Sequence, residues 1–196
     1  LVDASAEGGA TAYLIGDAVP PYLREDPERS LRRVESDSVR VMVAVNRGPL
    51  LNTHTVAEHV LAWSRSYSLI VIDLPALTDA EAIERYMPLL QAADTILVVV
   101  EPSPAALAAS LYRFGNKRVV VALNQPRPYP AAVVNHYSSV VRAFCRSAGC
   151  DYVVIPYEPA LSRLSPSSLR VLSYTHEEFD AALVRLARLL VRNTKI

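Results

Sequence analysis

Lysine is almost missing from this chain: of 20 basic residues only Lys117 and Lys195 are lysines. A phosphate-cradling G-K-[ST] loop needs a lysine at the start of a helix. Neither fits, because Lys117 stands in Phe114-Gly115-Asn116-Lys117-Arg118 just before an apolar run, and Lys195 lies in the tail. Net charge is missing too. The 20 acidic residues balance the 20 basic ones, which excludes a global attraction to nucleic acid or anionic lipid. No apolar run reaches the roughly 18 residues of a membrane span, and no signal-peptide pattern appears in these residues. A cytoplasmic location with no transmembrane segment is therefore the default expectation. Cys145 and Cys150, spaced C-x4-C, match no zinc or redox pattern. They read as buried thiols, with a local disulfide as the alternative. His54 and His59 are five apart, so they point away from each other on a helix, and no H-E-x-x-H pattern exists. No serine has a G-x-S-x-G context, which argues against hydrolase chemistry. Repeats, low-complexity tracts and linkers are also lacking.

What is present is a chain of 196 residues, about half apolar, enough for one compact domain with a sizeable core. It is organised around Leu69-Ile70-Val71-Ile72-Asp73-Leu74-Pro75. Such an uninterrupted apolar run predicts a strand buried on both faces, as in a parallel sheet with helices on each side. Pro75 ends the ladder. Asp73 then sits at the strand's carboxyl end, where open α/β sheets bind ligands. A carboxylate there suits a nucleotide's magnesium or the water on it, and it equally suits a helix cap.

Around this run, strands are expected at the opening Leu1-Val2-Asp3 and at residues 39–45, 96–100, 119–123 and 152–155. Helices are expected at 11–15, 27–34, 56–66, 79–92 (capped by Thr78), 102–112, 130–148 (with Pro130 at its first position) and 177–192. The alternation argues for a doubly wound, mainly parallel α/β sheet flanked by helices, in a single domain over residues 1–196.

Several strand tips together resemble one family, the MinD/ParA/Mrp group of P-loop ATPases. Leu1-Val2-Asp3-Ala4-Ser5, with Gly8-Gly9 and Tyr13-Leu14-Ile15-Gly16, is similar to that family's second strand and D-x-D motif. The segment from Val39 to Val45, followed by Gly48-Pro49-Leu50-Leu51, resembles the stretch before its third helix. Tyr67 to Pro75 resembles its Walker B strand, and Ala93 to Val100 with Pro102-Ser103 its next strand. Asn124, followed by Gln125, stands where the family reads adenine, and Ile155-Pro156-Tyr157-Glu158-Pro159 resembles the loop against the base. The similarity covers nearly the whole chain in the family's order.

The resemblance implies a P-loop NTPase-like fold, with ATP and Mg²⁺ as cofactors. It implies Asp3 and Asp73 as the catalytic carboxylates, Asp73 at the metal, and Asn124, Gln125, Pro156 and Tyr157 around the base. All would converge on one sheet edge. It further implies a homodimeric switch that positions or partitions a cargo through a protein partner, DNA or a membrane. Two departures matter. The family's Lys- and Gly-rich loop has no counterpart here, and Ser5 replaces the second aspartate that helps hold the attacking water. The strand before that loop lies mid-sheet in the family. Losing about five buried apolar residues, at roughly 1.5–3 kcal/mol each, would remove on the order of 10 kcal/mol, as much as a whole domain's stability. The chain also opens inside an apolar run without Met, so an upstream segment is expected to fill that place, with another chain as the alternative.

These departures motivate a competing reading, a non-hydrolysing scaffold or regulatory protein on the same fold. A small-molecule synthase or kinase of the wider P-loop group is a third. Arg24, Arg29, Arg32, Arg33 and Arg40 could contact DNA, but Glu25, Asp26, Glu28 and Glu35 are interleaved with them, which favours a solvated face. The last helix has one apolar side and could touch a membrane; packing on the sheet is the simpler expectation.

Overall fold

The computed structural model describes residues 1–36, 39–104, 115–163 and 175–191. These fall into two compact units, residues 1–93 and residues 94–163 with 175–191. Both are α/β, the first with a mixed sheet and the second with a parallel one, each flanked by helices.

In the first unit, β1 (Val2–Asp3) is central. It pairs in parallel with β3 (Val39–Ala44) on one side and β4 (Ile72–Asp73) on the other, while β2 (Leu31–Ser36) pairs antiparallel with β3. Helices α2 (Thr53–Trp63) and α3 (Ala80–Ala92) cover one face. Asn52 caps α2 by accepting from the Thr55 N–H, and Val56, Val60 and Trp63, three to four residues apart, turn inward. Asp79, one residue beyond the expected Thr78, caps α3 by accepting from Ala82 N–H at 2.8 Å. The short α1 (Gly9–Leu14) and the segment after it pack Leu14, Ile15 and Tyr22 against Val43 and Val45 on the other face.

Two expectations are overturned here. Residues 27–34 are not a helix; from Leu31 the chain runs as β2. Leu31 and Val34, three apart, fit one helix face or opposite strand faces equally well. Six consecutive pairings with β3 decide for the strand, Leu31 packing on one core cluster and Val34 on the other. The run 69–73 is not a strand buried on both faces. Only Ile72–Asp73 is strand, Leu69 is 67% and Val71 51% exposed, while Ile70, Ile72 and Leu74 pack inward. Among the described residues β4 pairs with β1 alone.

In the second unit, β5 (Thr95–Val100), β6 (Arg118–Asn124) and β7 (Asp151–Ile155) form a parallel sheet in that order. Helix α4 (Ala131–Ala148) sets Val141 and Cys145 against Val100, Val121 and Leu123. Pro130 stands just before it, as its cap, and Gly149 ends it in the left-handed conformation at φ 69°. On the opposite face α5 (Glu177–Val191) lays Phe179, Ala182, Leu183 and Leu186 on Ala122, Val153 and Ile155. The middle strand β6 thus has both faces covered, and Val120 to Leu123 are fully buried. The helix expected over 102–112 falls, from residue 105 on, outside the described residues.

Candidate functional site

The first cluster lies at the carboxyl tips of β1 and β4. Parallel register sets Asp3 directly beside Asp73, and the Ala4 N–H donates to the Asp73 carbonyl at 2.9 Å. The two carboxylates live in different surroundings. Asp3 is fully buried and accepts three hydrogen bonds. Its Oδ1 accepts from the Ser5 hydroxyl at 2.9 Å and the Ser5 N–H at 3.2 Å, and its Oδ2 accepts from Thr11 N–H at 2.7 Å. It therefore ties the loop after β1 to the first turn of α1.

Ser5 Oγ also accepts from Gly9 N–H at 3.2 Å. Asn46 closes the network: its N–H donates to Thr11 Oγ1 at 3.0 Å, and its Nδ2 donates to the carbonyls of Ser5 and Gly48 at 2.9 and 3.1 Å. Asn46 Oδ1 is left buried with no partner in the described protein. Gly8 makes this closure feasible. It has φ +65°, and a Cβ there would lie 2.5 Å from the Asn46 carbonyl oxygen.

Asp73 is only half buried, and no hydrogen bond to its carboxylate is found among the described residues. Burial, and then the charge of Asp3, push its pKa above the ordinary carboxylate value. It is the available oxygen donor of the pair. Among the described residues no group of three or more His, Cys, Asp or Glu is arranged to hold a metal. Magnesium does not require such a cage, since it commonly keeps several waters and takes one or two carboxylates plus phosphate oxygens. Asp73 fits that demand; Asp3, whose oxygens are already used, does not.

The second cluster belongs to the second unit. Asn124 ends β6 beside Ile155 of β7, and Gln125 N–H donates to the Ile155 carbonyl at 3.1 Å. Gln125, Pro156 and Tyr157 follow these strand tips and, like Asn124, are partly exposed. The structure thus brings together Asp3 with Asp73, and Asn124 with Gln125, Pro156 and Tyr157.

Three features escaped sequence reasoning. Asn46 follows the apolar strand β3, as Asn124 closes β6, and an asparagine after an apolar run was the available signal. Glu158 is buried behind the Pro156-Tyr157 turn. It accepts from His176 N–H at 2.7 Å and Ala160 N–H at 2.9 Å, and it contacts His176 Nδ1 at 2.9 Å. These bonds, the His176 N–H first, lower its pKa to about 2. The third is a group of arginines around Asp151, at the amino ends of the second unit's strands. Cys145 and Cys150 are free thiols; Cys145 is buried as expected, Cys150 only partly, and burial pushes the Cys145 pKa up.

Among the described residues no helix is long and apolar enough to cross a membrane. Compared with models of known protein families the chain gives no match, and compared with curated proteins it gives none either.

Proposed function

We propose that this chain is a nucleotide-dependent, dimerising molecular switch of the MinD/ParA type, on a doubly wound P-loop NTPase-like fold, binding ATP with Mg²⁺ and positioning or partitioning a cellular cargo. The observation that carries this reading is the side-by-side placement of Asp3 and Asp73 at adjacent parallel strand tips. Carboxyl ends of parallel strands are where α/β sheets bind ligands. In this reading Asp73 holds the magnesium through water. The ion, when bound, would neutralise phosphate charge, and its positive charge would offset the burial and the Asp3 repulsion that raise the Asp73 pKa. Asp3 acts at one remove, fixing the loop from Ala4 to Thr11 through its bonds to Ser5 and Thr11. For the base, the resemblance would assign Asn124, Gln125, Pro156 and Tyr157, which follow the strand tips of the second unit.

The second reading, a non-hydrolysing scaffold, has its own observation. Ser5 Oγ is already bonded to Asp3 and Gly9, and phosphoryl transfer depends on a positioned water. The two readings part at turnover.

The test is titration of a fluorescent ATP analogue into the intact protein, with and without Mg²⁺. Asp73→Asn is expected to weaken the Mg²⁺-dependent component by about tenfold or more, the range seen when groups around a metal are altered. Unchanged Mg²⁺-dependent binding in that variant would sink the proposal. Single-turnover hydrolysis by the parent protein then separates switch from scaffold.

A further inference from the structure

At the amino ends of β6 and β7, opposite to Asn124 and Pro156, the second unit carries a cationic recess. Arg118 opens β6 and Asp151 opens β7. Arg142 and Arg146 lie four apart near the end of α4, and Arg185 and Arg188 three apart near the end of α5. Each spacing puts its pair on one helix face. Two cavities, of about 660 and 370 Å³, share Asp151, Arg185 and Leu189 as lining. The larger adds Arg188, and the smaller adds Arg142 and Arg146. Four arginines thus line the two cavities beside one carboxylate, and a fifth, Arg118, bonds to that carboxylate from β6.

Most of that charge is uncommitted. Arg118 Nη2 reaches Asp151 at 3.3 Å, yet its Nη1 is buried with no hydrogen-bond partner among the described residues. Arg142 spends its Nε–H on the Tyr152 hydroxyl at 2.7 Å and lies over that ring. Arg146, Arg185 and Arg188 have neither ion pair nor hydrogen bond among the described residues. A helix C-terminus attracts cations, but each end carries only roughly half an elementary negative charge, felt within its last turn. That accounts for Arg146 and Arg188. It leaves Arg185, a turn earlier, without a local partner, and the buried Nη1 of Arg118 unspent.

We propose that this recess is a binding site for a small molecule bearing adjacent phosphates, held between the arginine pairs of α4 and α5. Guanidinium forks match phosphate oxygens two at a time. Two pairs on separate helices suit a diphosphate better than a lone phosphate. The recess volume lies within the usual range of small-ligand sites, about 300–1,000 Å³, whereas nucleic acid binds along an extended basic surface. This site lies at the opposite strand ends from Asn124 and Pro156, and it stands or falls independently of the ATP reading.

The experiment is isothermal titration of inorganic pyrophosphate into the intact protein at low salt. One saturable site is expected, with orthophosphate at least about tenfold weaker. Arg185→Gln with Arg188→Gln, both exposed positions, should weaken pyrophosphate at least about tenfold while far-ultraviolet circular dichroism stays unchanged. Arg142→Gln should act in the same direction, and Arg24→Gln, in the first unit, should have no effect. Absence of pyrophosphate binding would overturn the proposal. So would binding indifferent to these arginines, equal affinity for orthophosphate, or tighter arginine-dependent binding of a 20-base-pair DNA duplex.

Discussion

The two units hold their parallel strands by different means. In the second, β5 and β6 share six register pairs and β6 and β7 five, and helices cover both faces of the middle strand. In the first, β1 shares two pairs with β4 and one with β3. Its strand tips are instead fixed by side chains: Asp3, Ser5, Thr11 and Asn46 bind the loop after β1 to α1 and to the chain after β3. One unit is ordered by a dry ladder. The other adds a buried polar network to a shorter ladder, and such a network is sensitive to the loss of any member.

That contrast can be broken from either side. The largest effect is expected for Leu123→Ala in β6. Leu123 is fully buried between β5 and α4, and such truncations cost about 2–5 kcal/mol. The loss should appear in the urea midpoint of the second unit. Asp3→Ala should come next, at about 3 kcal/mol, because it strands three buried donors at about 1–3 kcal/mol each while relieving the desolvation of one carboxylate. If Asp3→Ala proves as mild as a surface change, the polar network does not hold the first unit and the contrast is wrong. Gly8→Ala should cost about 2 kcal/mol. A left-handed residue with a Cβ is disfavoured by about 1–2 kcal/mol, and the added atom would meet backbone at 2.5 Å, which must then shift.

The same contrast explains what the sequence made legible. Apolar runs bounded by turn residues located the strands of the second unit within one residue, and the amphipathic spacing of Phe179, Leu183 and Leu186 placed its last helix on the sheet. There the apolar pattern and the fold report the same thing, burial. In the first unit they diverge. Leu69 and Val71 are as apolar as any central strand residue, yet they are exposed, beside a strand that has one paired neighbour among the described residues. Nothing local distinguishes an edge strand from a central one when its side chains are alike. The pairing of Asp3 with Asp73 was anticipated through strand-tip logic. The fact that Asp3 spends its oxygens on Ser5 and Thr11 was not, because bonds from side chain to backbone depend on a loop path that periodicity does not encode. Asn46 was missed for the same reason.

The smallest expected effect concerns the second unit's own polar clamp, and it sharpens the contrast because this clamp lies beside the ladder rather than in place of one. Glu158 accepts from two backbone N–H groups and contacts His176 Nδ1. These bonds favour the carboxylate, lowering its pKa from 4.5 to about 2. A depressed acid contributes stability that is present above its unfolded pKa and is lost as pH falls through the folded value. The contribution should therefore be complete at pH 6, decline below about pH 4.5 and be gone near pH 2. The measurement is the urea midpoint of the second unit at a series of pH values, for the parent and for Glu158→Gln. Glutamine keeps an acceptor but cannot titrate, so the gap between the curves isolates this one group from every other carboxylate. The gap should narrow with acidity and close at the low end. A gap that stays constant from pH 6 to pH 2 would mean that shape rather than charge holds the Pro156-Tyr157 turn. Added salt gives the companion check. The backbone bonds are short and the carboxylate is buried, whereas His176 is mostly exposed, so screening should weaken the histidine contact and leave most of the gap intact.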